Sequence, residues 1–345
     1  MKLFFIFILT IIIFNLPILL FYKKIVNKVN IFDLPDNERK FHENPIPLLG
    51  GIIIFYNLFI IFIININLFD IQFFENSYFS STRFFISFFL ASTFLFMVGI
   101  YDDVFKLTPN LKLFLLSLII LGSVLVDPQI LISKVNFSFT SKEFLLKDFS
   151  IFFTILSFLL FINAFNMFDG INMQSGFYAL TIFLIFIIKG FMPIVFITLS
   201  IGICIFLILN FQNKCFLGDG GTFLLGYIIS YSFIKSYNID NLFFTDEIVL
   251  VMLIPGLELF RLAIQRLLKR RHPFRGDRLH IHHMLISIYG YRKTIIFIQF
   301  LIISPILISY FSFSNLSVLL ITTTIYFGIF YFLKKKLTKK FVLKN

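Results

Sequence analysis

Charged side chains are scarce in this sequence. Asp, Glu, Lys and Arg make up 14% of its 345 residues, against about a quarter in soluble domains. With 59% hydrophobic residues and a mean hydropathy of +0.94, a soluble globular fold is excluded and an integral membrane protein is indicated. Cysteine is almost missing as well: Cys204 lies in an apolar run and Cys215 in a polar insert, a number and spacing that build neither a disulfide framework nor a zinc site. Five histidines are too few for a membrane oxygenase built on histidine boxes. The Gly-Lys-Ser/Thr element of a P-loop does not occur, so the glycines alone do not make a nucleotide site. Trp is absent while Phe numbers 54, a bias from which no function follows. The first apolar run, Leu3 to Tyr22, is long for a signal-peptide core and has no small-residue cleavage site, so it is expected to persist as a helix.

Apolar runs are what the chain has in abundance. They fall at 3–22, 48–69, 84–100, 111–126, 149–165, 177–188, 191–209, 222–234, 248–262, 294–311 and 315–333. This pattern predicts an all-α polytopic membrane protein with ten to eleven transmembrane helices. With the N-terminus outside, the inward segments hold 23 of the 30 basic residues, the asymmetry expected of cytoplasmic loops. The C-terminus is then cytoplasmic. The net charge of +12 is accounted for by this topology signal together with attraction to anionic lipid and phosphate, and nucleic acid is not required.

Polar inserts between the runs are the candidate chemistry. The most telling is NAFNMFDGINMQSG, Asn163 to Gly176, where Asp169 and several carboxamides sit between two apolar stretches. Such groups are costly at membrane depth unless they face water, a metal or a ligand, although Asn, Asp and Gly also form plain turns. Asn166 and Asp169, three apart, share a helix face. The insert Tyr101 to Lys112 carries Asp102 and Asp103, which repel unless compensated, and Lys106 stands at salt-bridge spacing from Asp102. The first inward loop, Asp33 to Gly51, brings Arg39, Lys40 and His42 toward a Pro45/Pro47 pair and a Gly50-Gly51 step, either as topogenic charge or as an anion site.

Two further inserts complete the set. In Asn210 to Gly226, Asp219 is flanked by Gly218, Gly220 and Gly221 just before a helix, an open backbone that admits a phosphate or metal closely. The stretch Arg261 to Leu285 is dense in Arg and Lys and ends in His280, His282 and His283. No acidic partner stands at helical spacing from these histidines, so an anion-handling cluster suits them better than a metal centre. Acids and cations on one membrane face fit magnesium-dependent chemistry on phosphates, with one water-soluble and one lipid-linked substrate. A transporter, the rival reading, would place its polar residues near the bilayer midplane.

Five ordered motifs, RKFHENPIPLLGG, YDD, NAFNMFDG, FLGDGGT and RLHIHH, make the chain resemble the polyprenyl-phosphate N-acetylhexosamine-1-phosphate transferases, glycosyltransferase family 4. The resemblance implies a single membrane transferase domain over 1–345, with active-site loops near 23–47, 101–112, 163–176, 210–222 and 261–293 on the cytoplasmic face. It implies Mg²⁺-dependent transfer, with Mn²⁺ as a substitute, of HexNAc-1-phosphate from a UDP-HexNAc to polyprenyl (undecaprenyl) phosphate, releasing UMP. By the same resemblance Asp219 is the metal ligand, Asp102 and Asp103 serve the acceptor phosphate, and Asp169 with Asn166 stands near nucleotide and metal. His280, His282 and His283 lie near the diphosphate, and Lys106 and Lys112 are cations on the acceptor side. Phe216 stacks uracil, Asn210 reads it, and Asn163, Asn172, Arg275 and Arg278 complete the substrate-binding set. Location in a bacterial cytoplasmic membrane, contact with membrane lipid and a homodimer are further expectations. Where the family reads DGxDGL this chain has Asp169-Gly170-Ile171-Asn172-Met173-Gln174, and HIHH replaces an all-histidine form. The second departure points to the common-antigen, teichoic-acid or O-antigen branch, with GlcNAc first among the sugars and QuiNAc or FucNAc next.

Overall fold

The computed structural model describes residues 2–35, 44–67, 79, 81–270, 280–311 and 314–342. Every apolar run of the sequence is a helix. In chain order these are α1 (Lys2–Leu20), α3 (Gly50–Asn67), α4 (Thr82–Phe105), α5 (Pro109–Val126), α6 (Ser150–Phe168), α7 (Gln174–Ile188), α8 (Pro193–Phe211), α9 (Gly218–Asp240), α10 (Thr245–Leu268), α12 (Tyr291–Tyr310) and α13 (Asn315–Val342). Two short helices, α2 (Tyr22–Val29) and α11 (Ile281–Tyr289), are additional. The protein is an all-α polytopic membrane protein.

Length and apolarity suffice for a crossing in six helices among the described residues, α4, α5, α6, α8, α12 and α13, and in a seventh if α1 and α2 count as one span bent by 71°. The ten to eleven expected spans differ from this by four helices. Helices α3 and α7 are apolar but short, while α9 and α10 bury charged groups such as Lys235, Glu258 and Arg261 within their length. The bend after Leu20 has a local cause. In α2 the residues Tyr22, Ile25, Val26 and Val29 pack on the core while Lys23, Lys24, Asn27 and Lys28 are exposed, an amphipathic pattern that lies along a surface.

Helix α9 is the axis of the bundle. Phe223, Leu224, Leu225, Tyr227, Ile229 and Tyr231 are fully buried, so the helix is enclosed on all sides and packs against α3, α4 and α6. Glycine permits this closeness. A methyl group on Gly99 of α4 would strike the Asp219–Gly220 backbone, and one on Gly51 of α3 would strike Gly221. At the far end of α9 a buried ion pair joins Lys235 Nζ to Asp127 Oδ2 at 2.8 Å, with the Tyr231 hydroxyl donating to the same oxygen at 2.5 Å. Lys235, placed by the sequence pattern in an outward connection, is therefore an interior residue. Helices α1 and α3 are tied by reciprocal amide bonds between Asn15 and Asn57, 2.8 and 2.9 Å long.

Among the described residues, strand pairing is confined to two short antiparallel ribbons. One joins β1 (Phe32–Asp33) to β2 (Ile46–Pro47), and the other joins β3 (Lys134–Asn136) to β4 (Glu143–Leu145). The first brings the start of the chain to the site. Phe216 donates its amide to Pro47 O at 2.9 Å, and Gly50 and Gly51 donate theirs to Phe216 O and Leu217 O at 2.9 and 3.0 Å.

Candidate active site

At one end of the bundle the polar inserts converge on a cavity of about 880 Å³. Its lining includes Asp103 and Lys106 from the end of α4, Asn166 and Asp169 from the end of α6, and Asn172 beyond it. Asn210 comes from the end of α8, Asn213 and Phe216 from the turn that follows, Asp219 from the start of α9, His283 from the start of α11, Asp33 from β1 and Asn44 from just before β2. Apart from Asp33 in β1, these side chains sit at helix termini or in turns. A helix can remain apolar along its length while its last turn carries the chemistry.

Asp219 opens α9, and both of its oxygens are engaged. Asn166 Nδ2 donates to Oδ1 at 2.9 Å, and Lys112 Nζ lies 3.1 Å from Oδ2. Lys112 also pairs with Asp102, which is 4% exposed and takes the Leu107 amide on its other oxygen at 2.7 Å. The expected partnership of Asp102 with Lys106 does not form. Lys106 takes a left-handed conformation, φ 56°, that ends α4, so the lysine beyond the turn makes the pair. Asp103 faces the other way, and its carboxylate accepts the backbone amides of Asp219 at 2.9 Å and Gly220 at 3.2 Å. The glycines around Asp219 are used for packing and turning rather than to leave the backbone open. Gly220 faces Ile100, Gly221 faces Leu217 and Gly51, and Gly218 has φ +72°.

Asp169 caps the end of α6 and accepts a hydrogen bond from Ser175. Burial pushes its carboxyl up to about 7, the Ser175 hydroxyl working against the rise and the Asp219 charge adding to it. Beside it the amides interlock. Asn172 Nδ2 donates to Asn210 O at 3.0 Å and to Asn213 Oδ1 at 2.6 Å, Asn210 Oδ1 accepts the Met173 amide at 2.6 Å, and Tyr291 holds Asn172 O at 3.0 Å. Asn163 stands apart from this group. One turn deeper in α6, it bonds Leu159 O of its own helix at 2.7 Å and does not line the cavity, contrary to the substrate-binding place expected for it.

The histidines stack beneath the Asp169–Gly170 turn. Ring centroids of His282 and His283 are 4.2 Å apart, and those of His280 and His282 are 5.0 Å apart. Only His283 of the three lines the cavity. His282 is 1% exposed and packs against Gly170, and among the described residues its Nε2 has no hydrogen-bond partner. Burial, and then the neighbouring His280, His283 and Arg261, hold its pKa well below the usual imidazole range, so it is neutral.

An acidic partner for this segment exists, far away in sequence. Glu258 of α10 accepts the Ile281 amide at 2.9 Å and lies 3.5 Å from His280 Nδ1. It is braced by Arg261, at 2.7 and 3.2 Å, and by Tyr326. Arg261, counted in sequence among the anion-handling cations, is thus a buried structural residue. Arg39, Lys40, His42, Arg275 and Arg278 lie outside the described residues.

Residues 85–237 match the model of glycosyl transferase family 4. The chain is similar to the undecaprenyl-phosphate alpha-N-acetylglucosaminyl 1-phosphate transferase of Escherichia coli (strain K12), 27% identical over 297 residues that cover 80% of this chain and 75% of that protein. The protein of the same description from Thermotoga maritima is 27% identical over 284 residues, covering 78% and 77%. That from Yersinia pestis is 25% identical over 291 residues, covering 79% and 74%. The matched segment contains the Asp102-Asp103 pair, the Asn166–Asp169 motif and Asp219, which meet at or beside one cavity. Over residues 85–237 the chain is similar to glycosyl transferase family 4, and the relatives it resembles along most of its length are phospho-sugar transferases.

Proposed function

We propose that this enzyme transfers an N-acetylhexosamine-1-phosphate, GlcNAc-1-phosphate first among the candidates, from a UDP-sugar to undecaprenyl phosphate with release of UMP. The observation that carries this reading is the cavity itself. It is large enough for a nucleotide-sugar and lined by the amides, the aromatic ring, the carboxylates and the histidine that such a ligand calls for. Phe216 offers a face for the base, and Asn172, Asn210 and Asn213 offer amide groups to read its edge. His283 faces the same space, where an imidazole donates to diphosphate oxygens. An oxygen of the lipid phosphate attacks the β-phosphorus, the bond from that phosphorus to the bridging oxygen breaks, and UMP leaves with that oxygen. His283, the one of the three histidines that lines the cavity, offsets the charge that builds on the leaving group.

A divalent cation fits the residues present. Asp219 and Asp169 line the cavity and supply only oxygen donors, and Mg²⁺ takes one or two carboxylates while keeping waters and substrate phosphates as its other ligands. Among the described residues no group of three or more His, Cys, Asp or Glu is arranged to hold a metal on its own. When bound there, the cation would neutralise the diphosphate. Placement of the cavity on the cytoplasmic side of a bacterial inner membrane is supported by the 23 of 30 basic residues in the segments assigned inward. Envelope-glycan synthesis of the common-antigen, teichoic-acid or O-antigen type would consume the product.

The test is UMP release by the purified full chain with undecaprenyl phosphate, Mg²⁺ and a panel of UDP-HexNAc donors. Turnover with at least one donor, abolished by Asp219→Ala, is the expected result. Silence with every donor rejects the reaction, and a near-normal rate for Asp219→Ala removes that residue from the site.

A further inference from the structure

Lys112 occupies the place of a cation. Its ammonium joins Asp102 to Asp219 Oδ2, the latter at 3.1 Å, while Asn166 holds Asp219 Oδ1 at 2.9 Å. Nitrogen donors thus take both oxygens of the carboxylate, and an ion seeking Asp219 must compete with them. Asn166 is a neutral amide that can share its oxygen. Lys112 brings a full charge that would repel a divalent ion at this distance. Without it, however, two carboxylates would face each other uncompensated in a largely enclosed corner. The lysine reaches in from the first turn of α5 on a flexible stem, its side chain 21% exposed, so withdrawal toward solvent is open to it.

We propose that Lys112 is a built-in counter-cation, pairing Asp102 with Asp219 while no divalent ion is bound and giving up Asp219 when one arrives. Ammonium and ion then exclude each other at Asp219. This rests on the reading of Asp219 as a metal ligand. It makes Lys112 a positioning residue that holds the acidic groups in register between turnovers, and the released ammonium becomes available to a substrate phosphate.

The full chain in nanodiscs, stripped with chelator, is titrated with Mn²⁺, and free Mn²⁺ is followed by electron paramagnetic resonance. The wild type is expected to bind Mn²⁺ in a manner lost in Asp219→Asn. Lys112→Met is expected to bind at least about tenfold more tightly, the scale of removing a like charge a few ångströms away. The same variant should unfold at a lower temperature than wild type in EDTA and recover with Mn²⁺. Equal or weaker Mn²⁺ binding by Lys112→Met overturns the exchange while leaving the metal reading standing. Absence of any Asp219-dependent binding in both proteins overturns the two together. Should Lys112→Met not accumulate folded, the wild type decides: acetylation of Lys112 by an amine-reactive reagent, read by mass spectrometry, should speed up with Mn²⁺. Unchanged or slower labelling overturns the proposal.

Discussion

Asp103 caps a helix to which it does not belong. From the last turn of α4 its carboxylate accepts the amides of Asp219 and Gly220, two of the unpaired donors at the start of α9, at 2.9 and 3.2 Å. The negative charge also sits favourably against that helix's dipole. Removing the cap with Asp103→Ala should cost about 1–2 kcal/mol of stability. Because the amide released is that of Asp219 itself, turnover should fall further than the stability loss explains. Thermal unfolding measured beside UMP release checks both, and a fully stable and active Asp103→Ala would show that the cap positions nothing.

Gly170 marks a close approach between the turn after α6 and the buried His282. The residue is exposed at the cavity rim, and a methyl group there would run into the His282 ring. Gly170→Ala should therefore displace the histidine cluster, lower turnover by about tenfold or more and cost about 1–3 kcal/mol of stability, as overpacking against a buried ring does. Retained activity would mean that the stack tolerates displacement.

Glu258 joins three helices through one carboxylate. Glu258→Gln removes the carboxylate that pairs with the buried Arg261 and should cost on the order of 3–5 kcal/mol, with loss of turnover as the histidine segment loosens. Tyr326→Phe removes two hydrogen bonds, one given to Glu258 and one accepted from Arg261, and should cost about 1–2 kcal/mol while leaving the rate within a few-fold of wild type. Chemical unfolding together with kcat measures the contrast. Equal behaviour of the two variants would argue against Glu258 as the organising group.

The pH dependence follows from Asp169. Its folded pKa, about 7, is raised above the ordinary carboxylate value, so the folded protein holds a proton that the unfolded chain has released. The stabilisation this gives is complete below pH ~4 and is lost as the pH rises through the folded value. In chelator, the wild-type unfolding temperature should therefore fall between about pH 5 and pH 8, and Asp169→Asn should flatten that part of the curve. An unchanged slope in Asp169→Asn would place the titration elsewhere.

Much of this architecture was legible from periodicity and from the expense of polar groups among apolar ones. Eleven apolar runs became eleven helices, and Asp103, Asn166, Asp169, Asp219 and His283 reached one cavity from four separate inserts. What escaped depends on geometry at turns and on distant pairing. Lys106 was the natural partner of Asp102 by spacing, but a left-handed residue redirects the chain and hands the pair to Lys112. Asn163 carries the same amide as Asn166 yet sits a turn too deep to reach the cavity. Helix α2 is eight residues long and basic, so it reads as loop. Glu258 did leave a signal: a lone carboxylate within VMLIPGLELF is costly unless something distant compensates it.

The contact of the first ribbon and the start of α3 with the Phe216 turn runs largely through main chain. Three amide-to-carbonyl bonds hold it, from Phe216 to Pro47, Gly50 to Phe216 and Gly51 to Leu217. A wall assembled this way is largely indifferent to which side chains decorate it. Most neighbouring positions can therefore change while this wall of the cavity keeps its shape, provided that residues 50 and 51 stay as small as hydrogen.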